Sequence, residues 1–129
     1  MKKQAFTIVE LLVVVMIIGI LVSMAIPNYR KSVERSIYAQ GMANLDTVRK
    51  CELSYYSRNL QYFPVTDQTT LNTLATQLNA QILNTVEWTY TVASPGQTFI
   101  ATATRLRGPT PGTVTVTDNG TPGGTYVAP

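Results

Sequence analysis

Histidine is absent from this 129-residue chain, and cysteine occurs once. Without histidine there is no serine–histidine–aspartate triad, no cysteine–histidine dyad and no histidine-containing zinc site. A single cysteine excludes an intrachain disulfide framework. Charge is scarce as well: Asp, Glu, Lys and Arg make up 13% of the residues, against roughly a quarter in average soluble chains. The net charge of +3 is too small and too scattered to imply a nucleic-acid partner by itself. The length fits one domain.

What the chain does have is apolar side chain, 45% of residues, unevenly placed. The mean hydropathy of +0.08 averages two unlike parts. From Phe6 to Ile26 the sequence reads FTIVELLVVVMIIGILVSMAI, 21 residues with one charge, Glu10. A helix of that length spans roughly 30 Å, the hydrocarbon thickness of a bilayer. Beyond Pro27-Asn28 the chain turns polar, and from Thr66 onward it is rich in threonine and asparagine. This divides the chain into a basic leader (1–5), a hydrophobic helix (6–27) and an extracytoplasmic head (28–129). Lys2 and Lys3 ahead of the span favour an N-in orientation.

Three readings of this N-terminus compete. A secretory signal needs a small-x-small cleavage site, and Ser23-Met24-Ala25 supplies one. A plain membrane anchor needs only the apolar run. Neither gives a reason for Glu10, because a carboxylate inside an apolar segment is costly unless paired. The third reading makes Glu10 the point of the segment. If the leader is removed before Phe6, the new α-amino group lies four residues from that carboxylate. Amine and carboxylate attract strongly in a low-dielectric setting, and each is costly alone. Pairing between neighbouring subunits would set the axial stagger of an assembly.

The short basic leader, Phe6-Thr7, Glu10-Leu11-Leu12, the apolar run and Ile26-Pro27-Asn28-Tyr29 together resemble the N-terminus of type IV pilins and of type II secretion pseudopilins. The resemblance covers roughly the first quarter of the chain. It implies cleavage between Ala5 and Phe6 by a prepilin peptidase, N-methylation of Phe6, and assembly with copies of itself and other pilins into a helical filament. It also implies that Glu10 meets the N-terminal amine of a neighbour, Phe6, and that the helix between Gly19 and Pro27 loosens inside the filament. The family nearly always has glycine where this chain has Ala5. No cofactor and no catalytic role are implied. The lone Cys51 cannot close the C-terminal disulfide loop found in many type IVa pilins.

After Pro27, Val33, Ile37, Gly41, Leu45, Val48, Cys51 and Tyr55 recur at helical spacing, with Lys31, Arg35, Asp46, Arg49 and Lys50 opposite. A helix from Phe6 to about Ser57 is predicted, roughly 75–80 Å long. No small globular core needs that length, which points to a filament independently of the resemblance. Leu71, Leu74, Leu78 and Ile82 predict a short helix over Thr70–Leu83. The period then switches to two. Val86–Val92, Thr98–Arg105 and Thr113–Thr117 read as strands, with a short edge strand at Tyr126-Val127. Turns are expected at Ser94–Gln97, Gly108–Gly112 and Asp118–Gly120. The fold class is α+β: a long helix, hydrophobic then amphipathic, packed on a small antiparallel meander.

Other sites are weaker. Asp67, Glu87 and Asp118, the carboxylates outside the long helix, are too few and too separated for calcium, so no metal site is assigned. The chain lacks the Trp-Gly-x-Pro-Tyr type segment associated with the major pseudopilin, which tilts the resemblance toward a pilus subunit. Arg105 and Arg107 form a small basic pair beside a loop, slight support for a DNA contact; two solvated loop side chains is the simpler reading. Tyr29, Tyr55, Tyr56, Tyr62 and Phe63 read as core and interface packing rather than an aromatic conduit.

Overall fold

The computed structural model describes residues 6–82, 86–94, 96–108 and 111–126. The leader, Leu83, Pro95, Pro109, Thr110 and Val127 therefore lie outside the described residues. One helix dominates: α1, Ile8–Asn59, runs unbroken for 52 residues, about 78 Å at 1.5 Å per residue. Pro27 lies inside it. Having no N–H, Pro27 gives the Ser23 carbonyl no intrahelical donor, yet the helix continues on both sides. It ends at Leu60, a left-handed residue (φ 55°) whose N–H donates to the Tyr56 carbonyl at 2.8 Å.

The two halves of α1 differ as the hydropathy pattern predicts. The first is apolar on every face and exposed. The second buries one stripe, in which Gly41, Leu45, Val48 and Cys51 are covered. Two polar residues, Asn44 and Glu52, are buried in the same stripe, and its apolar spacing gave no sign of them. Asn44 is satisfied there, its amide donating to the Tyr90 hydroxyl at 2.8 Å.

The second helix, α2, is Gln68–Gln77, shorter than the predicted Thr70–Leu83. Asp67 caps it two residues early, in a reciprocal box with Thr70. Asn79 ends it early by taking a left-handed conformation (φ 51°), after which the Ala80 N–H returns to the Ala75 carbonyl. Leu71 and Leu74 face the core as expected.

Four strands form an antiparallel meander in chain order: β1 Trp88–Ala93, β2 Ile100–Arg105, β3 Thr113–Thr117 and β4 Pro122–Gly124. The inward row alternates as predicted, with Trp88, Tyr90 and Val92 on β1, Ala101 and Ala103 on β2, and Val114 and Val116 on β3. Pairing aligns Tyr90 with Ala103 and Ala103 with Val114. Helix α1 lies against β2 and β3, and α2 against β1. The last segment is a correction. The edge strand is Pro122–Gly124, and Tyr126, expected in it, lies past its end; Gly124 pairs there because it reaches a conformation (φ 116°) in which a Cβ would sit 2.1 Å from the Thr113 carbonyl oxygen. Tyr126 turns inward and is buried.

Trp88 fixes the approach of helix and sheet. Its indole N–H donates to the Ile37 carbonyl at 3.1 Å, and its ring lies against Gly41, where a Cβ would come within 2.8 Å. The αβ-loop, the segment of residues 60–67 between α1 and α2, is pinned to the sheet edge by an isolated bridge, Val65 to Val92.

Candidate assembly segment

The segment carrying the sequence-predicted site residues is the first half of α1. Its start is set by Thr7, whose extended backbone makes it the N-cap. Both the N–H and the hydroxyl of Thr7 donate to Glu10 Oε2 at 2.9 Å, and the Glu10 N–H donates to the Thr7 hydroxyl at 3.2 Å. This is a capping box. The spacing Thr-x-x-Glu was its signal in the sequence. Glu10 also sits in the first helical turn, where the helix dipole favours an anion. The carboxylate therefore has a partner within its own chain, and Thr7 joins it as a residue of the site. Thr7 keeps an amide N–H whether or not residues 1–5 are attached, so the cap is compatible with either state.

Phe6 is exposed ahead of the cap. Ala5 lies outside the described residues. From Ile8 onward the helix has an 18-residue window of mean hydropathy 2.8, and none of that window is buried within the chain. A core helix of a globular protein would be covered by its own fold; this one is not. It is long and apolar enough to cross a membrane. Gly19 has open space around it, with no atom within 4 Å of the position a Cβ would take. Between Gly19 and Pro27, the Ser23 hydroxyl donates back to the Ile20 carbonyl at 2.7 Å. The helix is continuous through both residues.

The head is fastened to α1 just beyond this segment. Glu34, seven residues past Pro27 and so about 10 Å along the axis, accepts from Arg105 Nη2 at 3.3 Å and from the Tyr126 hydroxyl at 2.8 Å. Arg105 also approaches Glu87 at 3.7 Å, donates through Nε to the Arg107 carbonyl, and lies over the rings of Trp88 and Tyr126. Its side chain is 2% exposed. Reading Arg105 as a solvated loop residue is thus corrected, and with it the slight support Arg105 lent to a DNA contact. The parity of β2 holds the missed signal: with Ala101 and Ala103 inward, residue 105 is inward too. Arg107 remains exposed. Arg49, placed on the charged side of α1, turns out to reach the sheet, donating to the Asp118 carbonyl at 3.0 Å.

The carboxylates outside α1 have separate local roles. Asp67 caps α2, Glu87 faces Arg105, and Asp118 lies in the β3–β4 turn. The aromatics of the αβ-loop pack together: Tyr62 stacks on Tyr56 at 4.6 Å and Phe63 meets Tyr55 edge-on at 5.3 Å. Tyr29 is exposed. Cys51 is a buried free thiol, and burial, reinforced by the neighbouring Glu52, pushes its pKa up.

Residues 1–26 match the prokaryotic N-terminal methylation motif. The chain is 38% identical over 61 residues to the type IV major pilin protein PilA of Myxococcus xanthus (strain DK1622), a match covering 47% of this chain and 28% of that protein. It is 28% identical over 67 residues to the type II secretion system core protein G of Escherichia coli (strain K12), covering 52% of this chain and 46% of that protein. The chain thus spans less than half the length of either relative. No solved structure matches it. The likeness to type IV pilins and pseudopilins therefore holds, and the long apolar helix packed on a small antiparallel sheet is a pilin-like α+β arrangement.

Proposed function

We propose that this chain is a structural subunit, major or minor, of a type IV pilus-like filament, serving motility, adhesion or DNA uptake. The observation that carries the proposal is the first half of α1. It is apolar on all faces, uncovered by its own chain, and continuous with a folded head. Such a surface is stable only in lipid or against other copies of itself. The subunit is held in the inner membrane with its head outside. A prepilin peptidase and N-methyltransferase removes residues 1–5 after Ala5 and methylates Phe6.

Assembly then packs the apolar helices together. Glu10 meets the Phe6 amine of a neighbour while Thr7 holds the carboxylate through Oε2. Gly19 and Pro27 bound the stretch that loosens in the fibre, since glycine lowers helix propensity and proline lacks one helical hydrogen bond. The second reading is a type II secretion pseudopilin forming a short periplasmic fibre, favoured by the match to the core protein G.

Intact-mass analysis of the mature chain purified from cells tests both. A mature chain beginning at N-methyl-Phe6 is expected. A chain beginning at Ile26 would make the N-terminus a disposable signal and overturn the proposal. Electron microscopy decides between the readings: long surface fibres dominated by this chain support a pilus, and their absence from the cell surface supports a pseudopilus.

A further inference from the structure

Glu52 is fully buried, alone among the seven Asp and Glu side chains, all of which are among the described residues. It projects from α1 toward the αβ-loop. Its Oε2 accepts the Phe63 N–H at 2.9 Å, and its Oε1 has no hydrogen-bond partner. No lysine or arginine among the described residues lies within ion-pair distance. Arg49, one turn earlier on the same helix, is committed to the Asp118 carbonyl at 3.0 Å and to Asp46 at 3.8 Å. The other titratable groups around Glu52 add no positive charge: Cys51 beside it on α1, Tyr56 one turn later, Tyr62 from the loop, and Asp118 from the β3–β4 turn beyond Tyr62.

We propose that Glu52 is a protonation latch for the αβ-loop. As the neutral acid it holds residues 61–64 against α1 through the Phe63 N–H. As the carboxylate it favours release of that loop, which uncovers the cluster of Tyr55, Tyr56, Tyr62 and Phe63 on the head.

The physical reason is the missing second partner. A neutral carboxyl places its proton on one oxygen and accepts the Phe63 N–H on the other, leaving no bare charge in the core. A carboxylate in the same place has one donor for two charged oxygens, and an under-solvated buried charge is expensive. The loop is the part able to relieve it. It has no regular structure and lies between the left-handed Leu60 and the Val65–Val92 bridge. The rest of the cover is helix and sheet. Burial pushes the Glu52 pKa up to about 7, against the opposing effect of the Phe63 hydrogen bond.

The sign follows from a pKa raised in the closed state. Closure is strongest below the ordinary value of 4.5 and weakens as pH rises from there to about 7. The opening equilibrium grows about tenfold per pH unit across that window, roughly 300-fold in all, and levels off above it.

Two measurements on the full-length chain in detergent test this. Infrared spectroscopy should show a protonated-carboxyl band that titrates near pH 7 and is missing from Glu52→Gln. Hydrogen exchange, corrected for the intrinsic pH dependence of amide exchange, should show Phe63 protection falling across the same window in the wild type. In Glu52→Gln, which keeps an acceptor for the Phe63 N–H without a charge, protection should be flat. A wild-type spectrum with no carboxyl titrating near neutral pH overturns the latch whether or not the variant folds. So does Phe63 protection that is independent of pH. Neither result bears on whether the chain forms filaments.

Discussion

Replacing Gly41 with alanine sets two effects against each other, and the structure says which one wins. Gly41 lies in the interior of α1, so the change alone should stabilise the helix by about 1 kcal/mol. The new methyl, however, would stand 2.8 Å from Trp88 Cε2 and 3.0 Å from Cζ2. The indole has little freedom to yield. Its N–H is bonded to the Ile37 carbonyl, its face carries the Arg105 guanidinium at 5.5 Å, and Tyr126 abuts it edge-on at 5.6 Å. Overpacking of this kind costs about 1–3 kcal/mol, and a ring held on three sides belongs near the top of that range. The net expectation is a loss of about 1–2 kcal/mol. For a head of this size that lowers Tm by about 4–15 °C. Thermal unfolding followed by Trp88 fluorescence reads it directly, since Trp88 is the only tryptophan. An unchanged or higher Tm would show that the helix moves off the sheet without cost, and would refute the claim that this glycine sets their separation.

Three further outcomes are expected. Arg105→Met should cost about 3 kcal/mol in denaturant unfolding, because it leaves Glu34, 14% exposed, facing a lost partner; adding Glu34→Gln should recover part of that loss, and losses that simply add would dismiss the coupling. Cys51 should resist alkylation by iodoacetamide in the folded chain at pH 8 and react on denaturation, since burial disfavours its thiolate; equal rates in the two states would contradict its burial. Glu10→Val should leave membrane insertion and cleavage intact while sharply reducing incorporation into fibres, and normal fibres built from this variant alone would refute the role given to the carboxylate.

Much of the fold is legible in local sequence pattern. The apolar run, the switch at Pro27 to a one-sided stripe, and the period-two segments are signals that each segment carries by itself. Hence α1 ends within two residues of its expected end, and β3 occupies Thr113–Thr117 as predicted. The candidate site is legible for the same reason. Glu10, Gly19 and Pro27 sit on one continuous helix, with Phe6 just ahead of its cap, and their exposure follows from the hydropathy of that segment. Helix ends were less legible, because Asp67 and Asn79 act through caps and a left-handed residue instead of through apolar spacing.

The amino-acid sequence by itself determines that this chain has a membrane-length apolar helix, an amphipathic continuation and a small antiparallel sheet to cover it. Tertiary structure alone decides which polar groups that covering traps. Arg105 meets Glu34 across 71 positions of sequence, Tyr126 meets Glu34 across 92, and Glu52 is sealed by a loop eleven residues away. Periodicity records which face of an element turns inward. It does not record what waits on the other side, and the energy of a buried charge depends on that partner. The same holds for β4, where Pro122-Gly123-Gly124 has no strand propensity and pairs because glycine alone fits against the Thr113 carbonyl.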